Sequence, residues 1–148
     1  MRDQLLIPQI SIRGFNPPTY GENDIIKKEN LRDRILSVLP DASISRRACR
    51  GKLLSITIQF YIAQKREQGS PKDLDNMLKI FCDTLPDYMD RKKTKNGLGF
   101  VEEDNDHAIF EIHCSKELVE DETKEGMNIE VYEWVNKPLI IATDRIMG

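Results

Sequence analysis

The chain has 148 residues, of which 39% are apolar and 32% charged, and its formal net charge is −3. That length suits one domain able to bury a core without disulfides or a structural metal, and the composition lies far from that of disordered chains. The opening MRDQLLIPQI is too short an apolar run, broken at Pro8, for a secretory signal, and no stretch approaches a membrane span.

Cys49, Cys82 and Cys114 lie far apart with no CxxC pair, and His107 and His113 are the only histidines. This spacing argues against a zinc site and a disulfide framework, and it suits a reducing compartment, so the expected location is cytoplasmic. Charge is unevenly distributed: residues 1–40 carry +1, residues 41–100 carry +5 and residues 101–148 carry −9. A basic middle before an acidic last third is compatible with a local phosphate-binding face, and equally with solvated charge on separate faces.

Residues 4–12 read as a strand in which Pro8 suits an edge position. After the turn-forming GFNPPTYGEND, Asn23 or Asp24 caps a helix running to about Leu39, where Pro40 stops it. Asp41 to Gly51 is a polar, basic connection, and LLSITIQFYIA is a strand rich in β-branched and aromatic residues. The polar QKREQGS is a loop, and Ser70 and Pro71 open a helix over about 73–85. Lys92 to Gly99 is a basic, glycine-containing loop, and strands follow at 107–115 and 127–134 around a solvated acidic connection. Residues 135–148 are a tail or a final short element. The expectation is a single domain over 1–148 of the α/β (mixed α+β) class, a small mixed β-sheet flanked by helices.

The segment DLDNMLKIFCD carries the chemistry. At about 100° per residue, Asp75, Lys79 and Asp83 share one face, with Leu74, Met77, Leu78, Phe81 and Leu85 opposite. Such acid and lysine pairs are also ordinary surface decoration. Asp73 would point to the apolar side if the helix extended back to it, so it belongs at the helix start in extended backbone, where it can cap the helix and still turn toward Asp75. Ser70 followed by Asp73 also matches a capping box. Two carboxylates at such a junction suit a hard divalent cation that keeps several waters. A third ligand would come from FVEEDNDHAIF, whose four carboxylates within residues 102–106 repel one another unless they are solvated or drawn together by a cation.

The pattern DLDNMLK, then Asp83, then an acidic cluster before Ile109, then Lys116 at the end of the following strand, resembles the RusA family of Holliday-junction resolvases over roughly residues 52–134. The resemblance implies an intertwined homodimer and magnesium-dependent resolution of four-way junctions by paired phosphodiester hydrolysis in DNA recombination and repair. It matches Asp73, Asp75 and Asp106 to the metal-binding carboxylates, with Mn2+ able to replace Mg2+, and Lys79 to the motif lysine. Lys79 would contact the scissile phosphate or stabilise transition-state charge, and Asp83 would either support the metal ligands from behind or be structural.

The first acid of the family's Asp-Asp pair is Asn105 here, leaving Asp104 or Glu103 as substitutes, and the linker PDYMDRKKTKNGLGF is longer than the family's usual short turn. Candidate DNA-binding groups are Arg46, Arg47, Arg50, Lys52, Arg91, Lys92, Lys93, Lys95 and Lys116. The competing readings are a catalytically silent junction-binding protein, with Asn105 marking a degraded site, and a metal-dependent hydrolase of another nucleic-acid phosphoester.

Overall fold

A computed structural model describes residues 4–102 and 106–139, the Asp106 side chain excepted. Its centre is strand β3 (Leu54–Ala63), whose alternating Leu54, Ile56, Ile58, Phe60 and Ile62 are all buried. Burying a side chain of this size stabilises the fold by about 1.5–3 kcal/mol. Strand β5 (Gly126–Glu133) flanks β3 antiparallel, with Ile129 opposite Ile58, and strand β4 (Ile109–Val119) flanks it parallel, with Cys114 opposite Ile58. The short strands β1 (Gln4–Leu5) and β2 (Ile10–Arg13) both pair antiparallel with β5. They form one edge interrupted near Pro8, which has no N–H to give a ladder. The expected strand over residues 4–12 is therefore present in two pieces.

Helix α1 (Asp24–Val38) buries Leu31 and Ile35, and helix α4 (Leu74–Cys82) buries Met77, Ile80 and Phe81 in the same core cluster as β3. The chain is mixed α+β, with a five-stranded mixed sheet and four α-helices among the described residues. No helix among them is long and apolar enough to cross a membrane.

Two helices occupy segments expected to be loops. Helix α2 (Ala42–Cys49) is started by Asp41, whose Oδ1 accepts from the amides of Ser43 at 2.9 Å and Ile44 at 3.2 Å, a cap worth about 1 kcal/mol. It buries only Ser45 and Cys49. Burial pushes the Cys49 thiol up to about 11, consistent with an inert packing role. Helix α3 (Gln64–Gly69) buries no residue at all, so no apolar period marks it in the sequence. The strand expected at 107–115 begins after a 3-10 turn at Asp106–Ala108 and runs to Val119.

Residues 84–101 return from α4 to β4 as an anchored loop. Leu98, Phe100 and Val101 join the core, and the Leu98 amide donates to the Thr84 carbonyl at 2.6 Å. Gly97 packs so closely that a Cβ there would lie 2.0 Å from the Pro86 carbonyl oxygen and 2.9 Å from that of Thr84. Gly97→Ala is therefore expected to lower stability by about 2–3 kcal/mol, roughly 5–10 °C in thermal midpoint. Gly69→Ala, with nothing within 4 Å of its added carbon, is the near-neutral control. Equal midpoints for the two variants would disprove the tight packing of the loop.

Candidate functional site

Asp73 stands at the start of α4 in extended backbone (φ −81°, ψ 122°), and its Oδ1 accepts from the Asp75 amide at 3.0 Å. The expected arrangement is observed: Asp73 is itself the cap. Ser70 instead ends α3, so the Ser70 to Asp73 capping box does not form. Both carboxylates are exposed, and no ion pair engages Asp75 among the described residues. Lys79, one turn on, places Nζ 3.7 Å from the centre of the Tyr20 ring. That cation–π contact restrains the ammonium without neutralising it, as a carboxylate would. Asp83 is paired with Lys28 at 3.0 Å, a structural role.

The backbone that delivers Asp73 is clamped from both sides. Glu67 accepts from the Lys72 amide at 3.0 Å, and Lys116 Nζ donates to the Lys72 carbonyl at 2.8 Å and to Glu67 at 2.6 Å. Lys116 holds the Glu67 carboxyl below the ordinary glutamate range. Lys72 Nζ donates to the Pro17 carbonyl at 2.9 Å, and burial followed by the nearby Arg66 charge pulls this ammonium's pKa down. Beside it, Arg66 grips the buried Glu125 through Nε at 2.8 Å and Nη2 at 3.1 Å, while Glu125 also accepts from the Ala63 amide at 3.0 Å. A polar cleft of about 240 Å³ opens over this network, lined in part by Asn16, Arg66, Lys72, Asp73 and Asn76.

Glu67, Lys72, Arg66 and Glu125 were not legible as site residues. Their only signal is type, since QKREQGS and EDETKEG read as solvated loops until β3 and β4 are paired.

The backbone of Asp106, expected to supply the third carboxylate, lies elsewhere. β3 and β4 run parallel, with Ile109 opposite Leu54 and Lys116 opposite Phe60. Asp73 follows the far end of β3 and is tied through Lys72 to Lys116, whereas Asp106 opens the turn before Ile109. The seven residues from Ile109 to Lys116 span roughly 23 Å of strand. Asp73 and Asp75 thus serve one end of β4, and the Asp106 backbone lies at the other. Among the described residues no group of three or more Asp, Glu, His or Cys side chains could hold a metal. Glu103, Asp104 and Asn105 lie outside the described residues, as does the Asp106 side chain.

Several expected DNA-binding cations are engaged within the protein. Arg46 Nε donates to the Leu98 carbonyl at 2.9 Å, and Arg50 binds Asp87 and the Gly99 carbonyl. Lys52 pairs with Glu133 at 3.7 Å, Lys95 with Glu29 at 3.7 Å, and Lys116 with Glu67. The contacts of Arg46, Arg50 and Lys95 join the 84–101 loop to the α1 and α2 region, and those of Lys52 and Lys116 reach β5 and α3. Arg47, Arg91, Lys92 and Lys93 are exposed.

The Glu125 pair generates a stability prediction. Burial alone would raise this carboxyl, but Arg66 and the Ala63 amide outweigh it and leave the pKa depressed. Its stabilisation is therefore full above the unfolded glutamate pKa of about 4.3 and is lost as pH falls through the lower folded value. Glu125→Ala should cost about 2–3 kcal/mol in urea unfolding at pH 7 and less at pH 3. A cost that is the same at both pH values would contradict the assignment. In comparisons with family models, curated proteins and solved structures, the chain has no match.

Proposed function

We propose that the chain is a magnesium-dependent endonuclease of the RusA type that nicks branched DNA, with each metal site shared between two copies. The observation that carries this reading is the placement of Asp73 and Asp75 together and exposed at the α4 start, with the backbone of Asp106 at the opposite end of β4. Two carboxylates suit a magnesium ion that keeps several waters, but they leave its protein coordination thin.

A second copy related by a two-fold axis supplies the missing group. β4 is the last strand of the sheet, its outer edge pairs with no strand among the described residues, and Phe110, Ile112 and Leu118 are exposed along it. An unpaired strand with exposed apolar side chains favours association with another chain. If two β4 edges run antiparallel about the dyad, the start of each faces the end of the other. The partner's Asp106 then approaches Asp73 and Asp75, and a C2 dimer carries two identical sites, as paired nicks in a four-way junction require.

In this reading Asp73 and Asp75 bind the ion, with Mn2+ able to replace Mg2+. Bound magnesium supplies a nucleophile at neutral pH and neutralises charge on the phosphoryl oxygens. The Glu67–Lys116 clamp fixes the Asp73 backbone, and Lys79, oriented by Tyr20, takes a non-bridging phosphate oxygen. The exposed Arg47, Arg91 and Lys92 are the phosphate contacts that position DNA, since Arg46, Arg50, Lys52, Lys95 and Lys116 are held by the protein itself.

The test mixes two variants on a labelled four-way junction. Asp75→Asn and Asp106→Asn should each lose nicking by more than about a hundredfold while still binding the junction. Co-refolded, they should regain nicking, because one site of the mixed dimer then has all its carboxylates. No recovery would place all three ligands in one chain. Tight binding by the unaltered protein without cuts in magnesium would leave the silent junction-binding module, and neither binding nor cutting would turn the reading to another phosphoester.

A further inference from the structure

We infer that the 84–101 loop builds a second nucleic-acid subsite, in which Tyr88 stacks on an unpaired base and the loop's cations take the flanking phosphates. The inference rests on the nucleic-acid reading above and goes beyond it, because it assigns a base-binding group remote from the carboxylates. Tyr88 is 37% exposed although the root of the loop is buried. Two clefts meet at this side chain: one of about 340 Å³, also lined by Pro86, Met89, Arg91 and Lys93, and one of about 300 Å³, also lined by Arg46 and Asn96. Space beside an aromatic ring, with cations at the rim, is what sequence-tolerant binding of single-stranded nucleic acid uses.

The loop is constructed to hold that ring. Tyr88 bridges to Asn96, and the Met89 amide donates to the Lys95 carbonyl at 2.7 Å. Asp90 Oδ1 accepts from the amides of Thr94 and Lys95, both at 2.9 Å, closing the tip. From outside, Arg32 donates to the Asn96 carbonyl at 2.7 Å and Arg46 to that of Leu98 at 2.9 Å. A stacking group pays little ordering entropy on binding when its platform is already fixed.

Charge placement points to phosphate rather than to a neutral or cationic ligand. Asp83 is paired with Lys28 and Asp87 with Arg50, while Asp90, which also lines the larger cleft, is turned onto the Thr94 hydroxyl and the loop amides. Arg91 and Lys92 are exposed at the tip, so cationic groups face outward there. Along α4 the rise from Asp73 to Asp83, which lines the larger cleft, is roughly 15 Å. A strand whose phosphate lies at the carboxylates can therefore place a base a few nucleotides away on Tyr88. Unpaired bases occur where a junction opens at its branch, which makes the ligand a short single-stranded stretch of DNA.

The experiment measures binding of fluorescein-labelled oligothymidylate in EDTA, where no nicking can occur, and compares Tyr88→Leu with Tyr88→Phe. The leucine variant should bind about tenfold more weakly and the phenylalanine variant within about twofold of the unaltered protein. Urea midpoints show whether each variant is folded. Photocrosslinking of an iodouracil-containing oligonucleotide to the unaltered protein provides a readout independent of substitution, and the adduct should map to Tyr88. Equal affinities for the leucine variant and the unaltered protein, or an adduct confined to other residues, would overturn the subsite. The shared-carboxylate reading stands or falls separately, on nicking of the four-way junction in magnesium.

Discussion

The parallel pairing of β3 with β4 is the constraint from which the rest of the arrangement follows. Antiparallel neighbours can be joined by a tight turn, but parallel ones need a crossover that returns the chain to the end where it began. Here that crossover spans residues 64–108 and contains α3, α4 and the long anchored loop. It carries the DLDN segment to one end of the strand pair and the backbone of Asp106 to the other. The proposed metal site must therefore join segments whose backbones are separated by roughly the length of a strand.

A second consequence concerns the charges. A crossover this long has many backbone groups to satisfy, and the protein does so with long cationic side chains. Arg32, Arg46 and Arg50 reach carbonyls of the 84–101 loop, and Lys72 and Lys116 secure the segment before Asp73. Arginine and lysine suit this work because several donors sit on a long stem that is largely apolar. The +5 charge of residues 41–100 is thus partly a framework for the loops, and only its remainder faces outward.

Much of the fold was legible because its period is strong. The β-branched and aromatic richness of β3, the alternation of β5, the α1 stripe through Leu31 and Ile35, and the amphipathic α4 each announce themselves locally. Asp73 was legible as well, since a carboxylate on the apolar side of α4 had to leave the helix. Helices α2 and α3 were not, being short and burying two residues and none. The roles of Glu67, Arg66 and Lys116 depend on partners from 44 to 59 positions away. Residue type gives no register for pairings of that range. The cations chosen for phosphate contact illustrate the same limit: Arg46 and Arg50 look identical to Arg47 in the sequence, and only their hydrogen bonds to the 84–101 loop separate fastener from surface charge.

The division of carboxylates along β4 is economical if the active species is a dimer. A carboxylate triad completed inside one chain would concentrate negative charge on a monomer, which would oppose the proposed approach to DNA phosphates. Splitting it keeps each half-site tolerable in isolation: Asp73 is held by an amide at the positive end of a helix, and Asp75 lies in the first turn of the same helix. In the proposed dimer the full cluster exists only where a dyad also presents two sites, so assembly and symmetric cutting are coupled by construction. The apolar edge of β4 and the remote position of Asp106 then stop being two separate oddities, because the same antiparallel contact covers the first and corrects the second.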